Sequence, residues 1–189
     1  PDSGHCPEAP WDPLVSPAET RLHLPLVGRE PEIALFRSLI AGAREGRGRV
    51  LFLAGESGIG KTRLVERLVE DATAAGCLPV VGHAFPAEGS FPFALAADAM
   101  QQLVRALGPA TVTLLSRGHE NELAMILPTL GKPGTPAERP AGGDAKARVF
   151  WHVERFVQKA AEQKPVLLVL ENVQWADTSS LELLHFLVR

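Results

Sequence analysis

The stretch "RVLFLAGESGIGKTRLV", residues 49–65, decides the fold. Its apolar start, Val50 to Leu53, reads as a short buried strand, and a helical stripe of Leu64, Val65, Leu68, Val69 and Ala72 follows. Between them, "GESGIGKT" fits the pattern G-x-x-x-x-G-K-[ST] with Gly55, Gly60, Lys61 and Thr62. The chemistry of phosphate binding asks for these residue types. Glycine lets the backbone at 55, 58 and 60 aim successive N–H groups inward as an anion nest. The helix that follows adds its N-terminal dipole. Lys61 brings positive charge to terminal phosphates, and the Thr62 hydroxyl is short enough to ligate Mg²⁺. Two neighbouring patterns fail. A G-x-G-x-x-G loop would need glycine where Arg63 stands, and a G-x-S-x-G elbow around Ser57 would need it at Ile59.

The natural partner is "VLLVLENVQWAD", residues 166–177, an apolar strand that stops at Glu171 and Asn172. An acid at the tip of a strand beside such a cradle holds Mg²⁺ through water, and Glu171 can do so. Trp175 reads as a packing anchor rather than a base-stacking platform.

Around these motifs the chain alternates helix and strand. Ile33, Phe36, Ile40 and Ala43 recur at helical spacing, and "AREGRGR" ends that helix with two glycines. A strand is expected at "LPVVGHAF". Helices broken near Gly108 and Gly118 are expected over 93–130, and a further helix carries Val149, Val153, Phe156, Val157 and Ala160. Residues 131–143 are seven parts Gly or Pro in thirteen, hence a loop. A last helix begins at "DTSSLELL", capped by Asp177 or by the Ser179-x-x-Glu182 box. Six prolines before residue 26 mark residues 1–24 as a linker or tail. The pattern predicts an α/β fold with a parallel sheet covered on both faces.

Composition excludes several classes. The 189 residues are 46% hydrophobic and 22% charged, as in ordinary globular domains. A net charge of −3, from 19 basic and 22 acidic side chains, offers no broad field for direct nucleic acid binding. No apolar run reaches the ~18 residues that read as a membrane span. Cys6 and Cys77 form neither a disulfide framework nor a metal-ligand spacing, which suits a reducing cytoplasm. The six histidines show no paired ligand spacing and read as surface or core residues, and Arg63 and Arg67 read as solvated charge.

Taken together, "PLVGRE", "LAGESGIGKTRLV" and "LLVLENVQWAD" resemble the ATPase module of signal-transduction NTPases related to AAA+ proteins. That module is similar to those in large ATP-binding regulators of the LuxR type and in cyclase- and kinase-fused ATPases. The resemblance covers about residues 25–189 and implies a P-loop NTPase of ASCE type, a three-layer sandwich around a parallel sheet, with ATP and Mg²⁺ as cofactors. It implies a nucleotide contact surface of Gly55, Glu56, Ser57, Gly58, Ile59, Gly60, Lys61, Thr62 and Arg63, with Val27 and Gly28 near the adenine side. Thr62 and Glu171 would hold the metal, and Lys61, Glu171 and Asn172 would act in hydrolysis. Asn172 stands where such ATPases usually carry an acid that polarises the attacking water, so slow hydrolysis is expected. The role implied is a nucleotide switch within a larger signalling or transcription-regulatory protein, with other domains of the parent chain as partners and nucleotide-dependent self-association. The alternative is an ATP-binding assembly platform that does not cycle. Only three strands are readable, near 50–54, 78–84 and 165–171, so the domain is expected to be truncated at its C-terminus, lacking a central strand, an arginine sensor and a helical lid.

Overall fold

A computed structural model describes residues 27–86, 91–131 and 144–189. The expected linker at 1–24 and nearly all of the expected loop at 131–143 lie outside these residues. In chain order the elements are α1 (Glu30–Arg44), α2 (Lys61–Ala74), β1 (Leu78–His83), α3 (Ala94–Leu107), α4 (Pro109–Ser116), α5 (Glu120–Leu123), α6 (Asp144–Gln163), β2 (Val166–Glu171) and α7 (Thr178–Leu187). Short 3₁₀ turns lie at Pro128–Leu130 and Val173–Trp175.

Strands β1 and β2 pair in parallel, in register from Leu78 opposite Val166 to His83 opposite Glu171. Alternation along each strand sends its side chains to two faces. On one face Leu78, Val80, Val166 and Leu170 meet the main core, which α3, α6 and α7 close with Leu103, Phe156, Ala160 and Leu183. On the other face Leu167 packs against Ile40 of α1, Ala72 of α2 and Cys77. Helices therefore cover both faces, as parallel strands require. Outside that second layer, Asp71 of α2 accepts from Arg37 of α1 and from Arg67, each at 2.9 Å. The Arg37 bond joins the two helices, whereas Arg67 pairs within α2 and its side chain stays exposed, as expected of solvated charge.

Glycine 82 sets how closely α3 approaches the sheet. A Cβ there would lie 2.8 Å from the Cβ of Ala99, so only a residue without a side chain fits under the helix. The breaks expected near Gly108 and Gly118 are present, separating α3 from α4 and α4 from α5. Asp177 is the cap of α7, accepting from the Ser180 amide at 2.9 Å.

The expected buried strand at 50–54 is not formed. Among the described residues the sheet has two strands, and residues 50–56 carry no regular structure. Phe52 is 82% exposed, and Val50, Leu51 and Leu53 are exposed as well. The physical reason is the absence of a ladder partner. A strand is stabilised by hydrogen bonds and cross-strand packing with a neighbour, and among the described residues no strand pairs with 50–54. Apolar sequence alone does not make a strand.

Candidate nucleotide-binding site

The glycine-rich turn adopts the geometry its sequence demands. Gly58 and Gly60 have φ of 81° and 94°, in the left-handed region that costs ordinary residues energy. Gly60 is the cap of α2, and its carbonyl accepts the Leu64 amide at 3.1 Å. Lys61 folds back over the turn, donating from Nζ to the carbonyls of Gly55 and Glu56, both at 2.7 Å. Those bonds use two of its three donors and leave one for a phosphate oxygen. Gly55 lies under Ile59, whose Cγ2 would be 3.2 Å from a Cβ at that position.

The start of α2 differs from that of α1 in a telling way. Helix α1 carries Glu30 and Glu32 in its first turn, which complements the positive end of the helix dipole. Helix α2 has no acid in its first turn and no side-chain cap, and it opens with Lys61, Thr62 and Arg63. Two cations at the positive end of a helix repel its dipole. An external anion relieves that arrangement, and the first-turn amides, which have no acceptor within their own helix, are what it would bind.

Val27 and Gly28 stand just before α1 and are exposed. Their neighbour Arg29 donates from Nη2 to the Ile59 carbonyl at 3.2 Å and pairs through Nη1 with Glu32 at 2.8 Å. The hydrogen bond from Arg29 holds the half-buried Glu32 carboxyl below its usual range. "VGRE" is thus tied to the cradle by a side chain the sequence did not single out.

Glu171 ends β2 beside a histidine. His83, its register partner on β1, places Nε2 3.5 Å from Glu171 Oε2 and Nδ1 3.7 Å from Asp98 Oδ2. Asp98 of α3 also accepts the His83 amide at 2.8 Å, and the Glu171 carbonyl accepts the Ala84 amide at 3.1 Å. His83 and Asp98 escaped sequence reasoning because strand register is a tertiary fact. The signal that existed was position: both strands end in a polar residue after an apolar run.

Asn172 follows in the left-handed region, with φ of 58°, and opens the 3₁₀ turn by accepting the Trp175 amide at 2.9 Å. Asparagine tolerates that conformation better than most residues. Trp175 is 43% exposed, so the expected packing anchor is a surface side chain. Asp177, six residues past Glu171, is buried and accepts amides from Ser180 and Phe93. Burial acts to raise its pKa, but hydrogen bonds from Ser180, Phe93 and Leu95 outweigh it and hold the carboxyl below its usual value. It is a structural acid.

The structure brings Gly55, Glu56, Ile59, Lys61 and Arg29 together by hydrogen bonds, and groups Glu171 with His83 and Asp98. Ser57, Thr62 and Arg63 lie exposed on the cradle and the first turn of α2. For Mg²⁺, the donor set of a hydroxyl and a carboxylate is the hard-oxygen kind that this ion prefers, so Thr62 and Glu171 fit it in kind.

A glycine-rich anion cradle at the head of a helix, with an acid-tipped parallel strand, defines a nucleoside-phosphate-binding α/β module. A sequence model of the AAA ATPase domain matches residues 25–189, and the chain belongs to that family. An uncharacterized protein of Rhizobium meliloti (strain 1021) is 26% identical, over a match covering 87% of this chain and 17% of that protein. The chain therefore spans about a sixth of the length of this relative. No solved structure matches. Membership carries the P-loop NTPase fold and ATP binding as family properties, and no helix among the described residues is long and apolar enough to cross a membrane.

Proposed function

We propose that this chain binds Mg²⁺-ATP through the 55–63 cradle and hydrolyses it slowly, acting as a nucleotide switch within a larger signalling or regulatory protein. One observation carries the reading: α2 opens with cations and no acid, beneath a glycine turn already closed by Lys61. Lys61 and the turn's amides bind the phosphates, Thr62 and Glu171 hold the cation, and Val27 and Gly28 border the base. The bound metal would supply charge neutralisation at the phosphates. The exposed row at 50–53 and the second edge of β2 support a sheet of ASCE type that continues past these two strands. Sites of this kind work through the domains attached to them and through copies of themselves, and ATP-dependent self-association belongs to this proposal.

Slow turnover follows from Asn172. Its amide oxygen can accept a hydrogen bond from an attacking water, but it carries no charge and takes no proton. A positioned general base typically contributes ~10²–10⁴-fold in rate. Asn172→Asp in the full-length protein should speed single-turnover hydrolysis by about that factor at nearly constant affinity, since aspartate also tolerates the left-handed backbone. A flat rate in that variant, with turnover abolished by Asp177→Asn, would move the base to Asp177. Absence of phosphate release from either protein would favour a non-cycling, ATP-holding platform.

A further inference from the structure

A second cluster of ligating side chains lies away from the nucleotide cradle. His119 is the residue before α5, Glu122 lies within α5, and His152 lies on α6. One nitrogen from each histidine and one carboxylate oxygen of Glu122 all fall within 4.8 Å of one another. The two imidazoles face each other with ring centroids 4.3 Å apart. We propose that His119, Glu122 and His152 form a binding site for a borderline divalent transition cation of the Zn²⁺ class, joining α5 to α6.

Two features argue for a ligand rather than a packed pair of rings. First, Nδ1 of His152 is shielded from solvent and has no hydrogen-bond partner among the described residues. A buried polar nitrogen without a partner costs ~1–3 kcal/mol, and a metal bond would satisfy it. Second, two imidazoles with one carboxylate is a donor set that suits Zn²⁺ and leaves a fourth position open.

The surroundings bear on the fourth ligand. Glu122 supplies one negative charge, while Arg148 and Arg155 add positive charge around His152. Arg155 also lies over the Trp151 ring, 5.4 Å from its centroid, and that ring meets His152 edge-on at 5.1 Å. A divalent ion held by these three residues keeps a net positive charge, so water or a small anion completes the shell. Bonds of ~2.0–2.2 Å set tetrahedral ligand separations near ~3.4 Å, so binding draws the three side chains together.

The test uses the full-length protein, stripped with a chelator and kept in excess Mg²⁺ so that the hard-oxygen site is occupied. Zn²⁺ is titrated by calorimetry, and Co²⁺ by visible absorption, which reports tetrahedral coordination. One equivalent is expected to bind with a tetrahedral Co²⁺ spectrum. His119→Gln and His152→Gln are each expected to weaken it at least ~10-fold, a loss already typical of changes to outer-shell groups. His185→Gln, on α7, is expected to bind as wild type does. Circular dichroism of each variant establishes that it is folded, and Glu122→Gln provides a substitution of matched size if a histidine variant unfolds. No binding to the wild type, or equal binding by the folded His119, His152 and Glu122 variants, would overturn the proposal. ATP affinity in the same variants is expected to be unchanged, so this result is separate from that for the cradle.

Discussion

The two halves of the proposed nucleotide site are built in opposite ways. The cradle is made of backbone: left-handed glycines, carbonyls gripped by Lys61 and the first amides of α2. The Glu171 half is made of side chains that strand register brings together, with His83 and Asp98 contributed by two other elements. The halves also differ in support. Beneath Glu171 lies the main core, where Val80, Val153 and Phe156 are almost wholly buried. Before the cradle runs an exposed apolar segment with no sheet partner among the described residues. A local motif can therefore hold its shape where packing is thin, whereas a side-chain constellation needs a core to fix it.

The sharpest test of that contrast compares two phenylalanines. Phe156 is 1% exposed within the core, and replacing it by alanine should cost ~3–5 kcal/mol. Phe52 is 82% exposed, so Phe52→Ala should change stability by no more than ~0.5 kcal/mol. Denaturant unfolding of the full-length protein, or of a shorter piece that unfolds cooperatively, measures both. A comparable loss at Phe52 would mean that residues 50–53 are covered in the full-length protein, and would place a further strand against them.

The cradle should respond in binding and not in folding. Lys61→Ala removes a charged donor from the phosphates, and hydrogen bonds to charged groups contribute ~1.5–3 kcal/mol, so Mg²⁺-ATP affinity should fall about 10- to 150-fold. Thr62→Ala should weaken Mg²⁺-ATP more than ATP alone, because it removes an oxygen donor to the cation. Calorimetry distinguishes the two variants. Unchanged affinity in the Lys61 variant would break the assignment of the cradle.

Legibility in the sequence followed the same division. Glycine spacing, helix stripes, the ends of α3 and α4 and the start of α7 depend on nearby residues, and they could be read directly. The cradle was legible because eight consecutive residues make it. What could not be read depends on partners distant in the chain. Val50–Leu53 has the composition of a strand, yet strand formation depends on a neighbour that composition does not contain. His83 and Asp98 near Glu171, Arg29 on the Ile59 carbonyl and the His119–His152 pair arise from register and helix packing. Asn172 was legible as a missing acid, but its left-handed backbone was not.

Between sheet and helix, Gly82 probes how α3 is set against Glu171's neighbours. Gly82→Ala would push a methyl to 2.8 Å from the Ala99 Cβ, and overpacking of this kind costs ~1–3 kcal/mol. Relief moves α3, and with it Asp98, which accepts the amide of His83. The expected result is lower stability together with a moved NMR signal of the His83 amide. Cradle affinity should change less than in Lys61→Ala. A stable variant with an unmoved His83 signal would show that α3 does not fix this corner.

The smallest effect expected is at the cap of α7, and pH separates its two components. Asp177 accepts amides from Ser180, in its own helix, and from Phe93, just before α3. Removing an N-cap acceptor costs ~0.5–2 kcal/mol, so Asp177→Ala should destabilise by that amount at neutral pH. The charge adds a dependence on acidity. The folded pKa of Asp177 lies below the ordinary 3.8, so the native state binds its proton less readily than the unfolded chain does. The stabilisation it contributes is full above about pH 3.8 and is lost as pH falls through the lower, folded pKa. Asp177→Asn keeps an acceptor oxygen and loses the titration. The stability difference between wild type and Asp177→Asn should therefore hold constant from neutrality down to about pH 4, then shift in favour of the variant as acid increases. Because both proteins share every other carboxylate, Glu32 and Glu120 included, their common acid response cancels in that difference. A difference that stays level down to pH 2 would mean that the carboxylate's charge adds nothing to the cap, and that geometry alone joins α7 to α3.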